Sequence, residues 1–197
     1  MTRVTKVGVL GATGQQGGAV AAAFEEAGIG VIAITRNPDS DKAKELAARN
    51  NTIVRKADLN DVDSLVAAFE GCDGAFVIAN FWEGMGVSVE MKHYKNATDA
   101  LKKNGQMKHV VYSTLEETTV DVAVTKDFKD LCEHETGPMK VPHFDGKARV
   151  EAYFEGLPTT FMVTSCYFEN YTSFFSVDKQ EDGSYAFTLP LGDKSIP

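Results

Sequence analysis

Cysteine is scarce in this sequence. Cys72, Cys132 and Cys166 stand far apart and form no CxxC pair, which excludes a redox dithiol and the usual zinc ligand spacing and fits a reducing compartment. No metal site is expected. A basic excess is missing too: 20 lysines and arginines face 28 aspartates and glutamates, a formal net charge of -8. A phosphate-tracking surface needs the opposite balance, so neither direct nucleic-acid binding nor attachment to an anionic membrane is expected. No apolar run approaches the roughly 18 residues of a membrane helix, and no signal-peptide pattern precedes the first strand. The expected location is the cytoplasm, with nuclear entry left open. Internal repeats and low-complexity segments are absent as well.

What is present is a regular alternation of short β-rich runs and helical patterns, the sequence form of a parallel sheet with helices on both faces. Strands are expected at residues 4–10, 31–35, 52–56, 74–79, 110–113 and 159–164. Helices are expected at 15–27, 40–49, 61–69, 87–103 and 143–155. The run at 74–79 is continuously apolar, as a strand buried on both faces should be. Residues 116–141 lose the pattern and read as an irregular excursion with one short helix. After Tyr167 the character changes. The Asp182-Gly183 turn between residues 174–177 and 185–189 predicts a small β-hairpin outside the main sheet. The expected fold is α/β, a Rossmann-type doubly wound parallel sheet over residues 1–166, with residues 167–197 starting a small, incomplete C-terminal lobe.

The strongest local signal is Gly11-Ala12-Thr13-Gly14-Gln15-Gln16-Gly17, which joins the first strand to the first helix. Its glycines suit a tight turn, close approach of the backbone to a pyrophosphate, and close packing of helix on strand. The exposed N–H groups of the helix start would hold the phosphate oxygens, assisted by the helix dipole. The end of the second strand selects the cofactor. Where an NAD enzyme places an acid, this chain has Thr35-Arg36-Asn37-Pro38. Arg36 can stack on adenine and donate to a 2′-phosphate, so the expected cofactor is NADP(H). Asp58, after the third strand, is expected near the adenine. Asn80 and Phe81 begin a segment at the carboxyl edge of the sheet and are expected to contact the cofactor, and Trp82 beside them is expected to line a pocket.

Taken together with His143-Phe144-Asp145-Gly146-Lys147 and Cys166-Tyr167-Phe168-Glu169-Asn170, these motifs resemble the NmrA-like family of atypical short-chain dehydrogenases, in particular its redox-sensor members. The resemblance implies NADP(H) bound at Gly11 through Gln16, Arg36, Lys92, Lys147, Tyr167, Phe168, Glu169 and Asn170. It also implies a regulatory role exerted through cofactor-dependent conformation and a protein partner, in preference to turnover. Family members continue well past the position of Pro197, so the lobe that would carry a substrate or partner is expected to be incomplete.

Active short-chain dehydrogenases use Ser, Tyr and Lys, the last two separated by four residues on one helix face. The candidates here are Ser113, Lys147 and, at the Tyr position, His143. Loss of the phenolic acid should cost roughly 10²–10⁴-fold in rate. Imidazole can still donate a proton near neutral pH, so an NADPH-dependent reductase of quinones or other small carbonyl or aromatic substrates is the alternative reading. A plainer reading makes His143 a helix-start residue with no chemical role.

Overall fold

The computed structural model describes residues 3–84, 86–118, 141–173, 175 and 177–187. Cys132 and nearly all of the irregular excursion expected at 116–141 therefore lie outside the described residues. The chain divides into two compact units, Met1–Val163 and Thr164–Pro197.

The first unit alternates strand and helix in the order β1 (Lys6–Leu10), α1 (Gln15–Glu26), β2 (Gly30–Thr35), α2 (Asp41–Ala47), β3 (Thr52–Lys56), α3 (Val62–Ala68) and β4 (Gly74–Val77). It continues through α4 (Phe81–Gly84), α5 (Val87–Asn104), β5 (His109–Thr114), α6 (Pro142–Arg149), a 3-10 segment (Val150–Phe154) and β6 (Thr159–Val163). The six strands form one sheet in the order β3-β2-β1-β4-β5-β6, and every neighbouring pair is parallel. This is the doubly wound Rossmann arrangement, whose strand order reverses between β1 and β4 and leaves a crevice at their carboxyl ends.

Strand periodicity divides the core into two layers. Val7, Val9, Val31, Ala33 and Phe76 face Ala21 and Leu46 on one side of the sheet. Leu10, Ile32, Ile34, Val77, Val110 and Tyr112 face Leu65, Phe69, Leu101 and Phe154 on the other. Alternate residues of one strand therefore serve opposite layers. Local chemistry sets the helix starts: the Ser40 hydroxyl accepts from the Ala43 N–H, and the Asp61 carboxylate accepts from those of Asp63 and Ser64.

Two expected elements end earlier than their sequence suggests. The fourth strand, expected to reach residue 79, stops pairing at Val77, because the Ala79 N–H donates to the Tyr94 hydroxyl at 3.0 Å and Asn80 accepts from the Trp82 N–H to open α4. The helix expected at 143–155 is α-helical only to Arg149 and finishes as the 3-10 segment, where i→i+3 bonds satisfy its last carbonyls. One buried carboxylate joins the described residues on either side of 119–140. Asp145 accepts from the N–H and hydroxyl of Thr118 and from the N–H of Val141.

Within the second unit, Phe168–Thr172 forms a 3-10 turn, and strands β7 (Val177–Lys179) and β8 (Tyr185–Phe187) pair antiparallel. The expected turn is present there, with Gly183 at φ +86. Among the described residues no helix is long and apolar enough to cross a membrane.

Candidate functional site

The carboxyl edge of β1 runs directly into the glycine loop. Gly11 turns the chain with φ +64, and the Gly14 N–H donates back to its carbonyl at 2.8 Å. A Cβ at Gly17 would lie 2.3 Å from the Gly11 carbonyl oxygen. Only glycine there lets α1 approach the loop this closely. Gly14 caps α1 with no side-chain hydrogen bond, and the first turn carries no acidic residue. Its N–H groups, with the positive end of the helix dipole behind them, form a cradle suited to an anion. Gln15 and Gln16 flank the opening, and Gln16 donates to the Ser113 hydroxyl at 2.8 Å. That bond ties the loop to the end of β5, two strands away.

Arg36 is exposed at the end of β2. Asp58 lies within its electrostatic reach after β3. The Asn60 N–H, donating at 2.8 Å, holds the Asp58 carboxyl below the usual carboxylate range, and Arg36 and the buried His93 of α5 add to that effect. Arg36 and Asp58 thus lie within electrostatic range of one another, and the exposed guanidinium presents a planar set of donors.

Beyond β4, Asn80 is exposed and Phe81 is buried. Trp82 is 54% exposed and sits edge-on to Phe81, the ring centroids 5.1 Å apart. The His143 ring lies 5.7 Å from Phe81 and 5.4 Å from Trp82, so the imidazole belongs to an aromatic cluster at the carboxyl edge. Burial and the neighbouring Lys147 ammonium push His143 below its ordinary proton affinity, with Asp145 opposing. The imidazole is therefore neutral at pH 7.

Lys147, one turn along α6, points inward. Its ammonium pairs with the carboxylate of Glu90 on α5, lies 3.3 Å from the Tyr94 hydroxyl and 3.5 Å from the Ala79 carbonyl, and sits over the Tyr94 ring. Burial works against either charge alone, and each partner offsets part of the other's desolvation. The direction that governs is Lys147, held above the usual lysine value by Tyr94 and Glu90 despite its burial, because three oxygens surround the ammonium. Tyr112 completes the cluster. Its hydroxyl donates to the Lys147 carbonyl at 2.9 Å, and burial drives both tyrosines upward, so both remain phenols.

Lys92 lies on the exposed face of α5. Tyr167, Phe168, Glu169 and Asn170 belong to the second unit, where Tyr167 precedes the 3-10 turn and the Asn170 N–H donates to its carbonyl. Sequence reasoning missed Glu90, Tyr94, Tyr112 and His93. A signal for Glu90 existed: it occupies the buried stripe Val87, Glu90, Tyr94, Ala97 and Leu101 of α5, where a carboxylate needs a cationic partner.

A sequence profile of the NmrA-like family matches residues 3–197. The NmrA-like family domain-containing oxidoreductase notA of Aspergillus sp. (strain MF297-2) is 36% identical over 152 residues, 75% of this chain and 41% of that protein. A crystal structure of Nmra, a negative transcriptional regulator, in complex with NAD aligns with a TM-score of 0.70 and 26% identity, over 94% of this chain and 53% of that one. The NADPH-dependent quinone oxidoreductase QOR2 of Escherichia coli, complexed with NADPH, aligns with a TM-score of 0.59 and 25% identity, over 86% and 51%. The chain spans between 33% and 58% of the length of the first curated relatives it matches.

Proposed function

The chain belongs to the NmrA-like family, and on that premise we propose that it is an NADP(H)-binding regulatory protein that senses redox state through its cofactor. Gly11, Ala12, Thr13, Gly14, Gln15, Gln16 and Gly17 would hold the pyrophosphate, Arg36 the 2′-phosphate and Asp58 the adenine side. The cofactor, when bound, supplies the difference between its oxidised and reduced forms that a sensor reads. The output is contact with a protein partner, in the cytoplasm or after entry to the nucleus. For sensing, the two cofactor states must favour different conformations, because equal affinity shifts no population.

One observation carries this reading. The phosphate cradle is intact, yet the position that would supply a phenolic acid holds His143, whose protonated form is disfavoured by burial and by Lys147. These two features support cofactor binding over proton donation by His143.

The aromatic cluster of Phe81, Trp82 and His143 supports a second reading, reduction of a planar quinone or other aromatic or carbonyl substrate stacked on these rings. Calorimetric titration of NADPH, NADP⁺, NADH and NAD⁺, run beside NADPH consumption with quinones and aldehydes, separates the two. The expected result is binding of NADP(H) with consumption at background. Robust turnover would replace the sensor with the reductase, and absence of binding would remove both.

A further inference from the structure

The Lys147 ammonium has three N–H donors, and the protein engages all of them. Glu90, Tyr94 and the Ala79 carbonyl each lie within reach. Its side chain is 13% exposed and that of Glu90 only 1%. No donor is left over for a ribose hydroxyl, so a dinucleotide that engages Lys147 must first take it from one of these partners.

Glu90 is the partner that decides. Its carboxylate contributes the one formal charge opposite Lys147 in this cluster, from the first turn of α5, where the helix dipole favours an anion. The second carboxylate oxygen, Oε2, is buried with no hydrogen-bond partner among the described residues. A carboxylate with one oxygen unsatisfied is incompletely compensated for its desolvation, so release of Lys147 carries a cost that a cofactor contact must offset. Gly146 lets the two helices come this close. A Cβ there would lie 3.0 Å from a Val87 methyl and 3.6 Å from Glu90 Oε2.

We infer that Glu90 is a positioning residue that latches Lys147 into the fold and yields it when NADP(H) binds, so that the strength of this internal pair sets cofactor affinity. The inference rests on the cofactor reading above, extended to Lys147 as a cofactor contact, and adds its regulation. Apparent affinity is reduced by the fraction of molecules in which Lys147 is not released. Weakening the latch therefore tightens cofactor binding, the opposite of what loss of a direct contact would do.

The test uses Glu90→Gln, which keeps shape and removes charge. The first readout needs no cofactor: acetylation of Lys147 by a small acylating reagent, followed by peptide mass spectrometry. Lys147 should be protected in the wild type and labelled several-fold faster in Glu90→Gln, while the exposed Lys92 serves as the internal standard. Equal protection in a folded variant overturns the latch. The second readout is NADPH affinity. Glu90→Gln should tighten it by about five-fold or more, the lower end of ordinary coupling between sites. In a Lys147→Met background the same substitution should change nothing. Unchanged or weaker binding, or an equal gain without Lys147, overturns the inference. If Glu90→Gln does not fold, Glu90→Asp, which keeps the charge on a shorter arm, should move both readouts in the same direction by less. A wild-type chain that binds no NADPH takes down the cofactor reading and this inference together. Wild-type binding with no gain in the variant takes down the inference alone.

Discussion

Replacement of Gly17 by alanine should destabilise this protein, although glycine-to-alanine changes inside helices usually do the reverse. An ordinary helical site gains about 0.5–1 kcal/mol from the change, because alanine loses less conformational freedom. At Gly17 the added methyl meets the Gly11 carbonyl oxygen at 2.3 Å, the Gly11 carbonyl carbon at 2.6 Å and the Ala12 nitrogen at 3.0 Å. All three atoms are backbone, so no side-chain rotation relieves the clash and α1 must lift off the loop. Overpacking of this kind costs roughly 1–3 kcal/mol, which outweighs the propensity gain and lowers the melting temperature by about 2–8 °C for a unit of this size. Gly18→Ala, whose methyl meets only the Ala12 carbonyl oxygen at 3.3 Å, is the control: that tight contact offsets the propensity gain, so it should melt within about 1 °C of the wild type. Thermal unfolding monitored by circular dichroism measures both. A Gly17→Ala protein that melts at or above the wild type would refute the close helix–loop approach and the cradle built on it.

Arg36→Ala should weaken NADP(H) by roughly ten- to hundred-fold, the worth of a charge-assisted contact, while leaving NAD(H) nearly unchanged; equal losses in calorimetric titration would show that Arg36 does not read the phosphate. His143 gives a pH signature. Its folded proton affinity lies below the unfolded value of 6.5, so the unfolded chain binds the extra proton as pH falls. Its contribution is complete above about 6.5 and is lost below it. His143→Gln should flatten part of that decline in urea unfolding between about pH 7.5 and 5.5, and an identical slope would count against a disfavoured imidazolium. Tyr112→Phe deletes the 2.9 Å bond to the Lys147 carbonyl and should cost about 1 kcal/mol, read as a lower urea midpoint; an unchanged midpoint would show that the bond carries no stability.

What could be read from the sequence was what local backbone constraint dictates. The spacing of Gly11, Gly14 and Gly17 marks the loop because each glycine answers a nearby steric demand, and β3 falls at the expected residues 52–56 because its flanking turns are local. The His143 and Lys147 spacing places both on α6 for the same reason. The partners of Lys147 were not legible. Glu90 lies 57 residues away in the chain and Tyr94 53, and only the packing of α5 against α6 brings them together. Likewise the Gln16 bond to Ser113 spans 97 residues, and neither residue's neighbours announce it. The early end of β4 follows from that same long-range packing, through Tyr94 and the Ala79 N–H.

The Asp145 clasp has a consequence for how this chain can vary. Thr118 and Val141 are both bound to a single carboxylate that is 2% exposed, so the exit and the return of the chain are fixed at one point at the base of α6. The closure entropy of a loop rises only slowly with its length, and here the clasp holds the ends together. Thr118, Val141 and the first turn of α6 are thus held to one another through one side chain, and loss of the Asp145 carboxylate would release both attachments together.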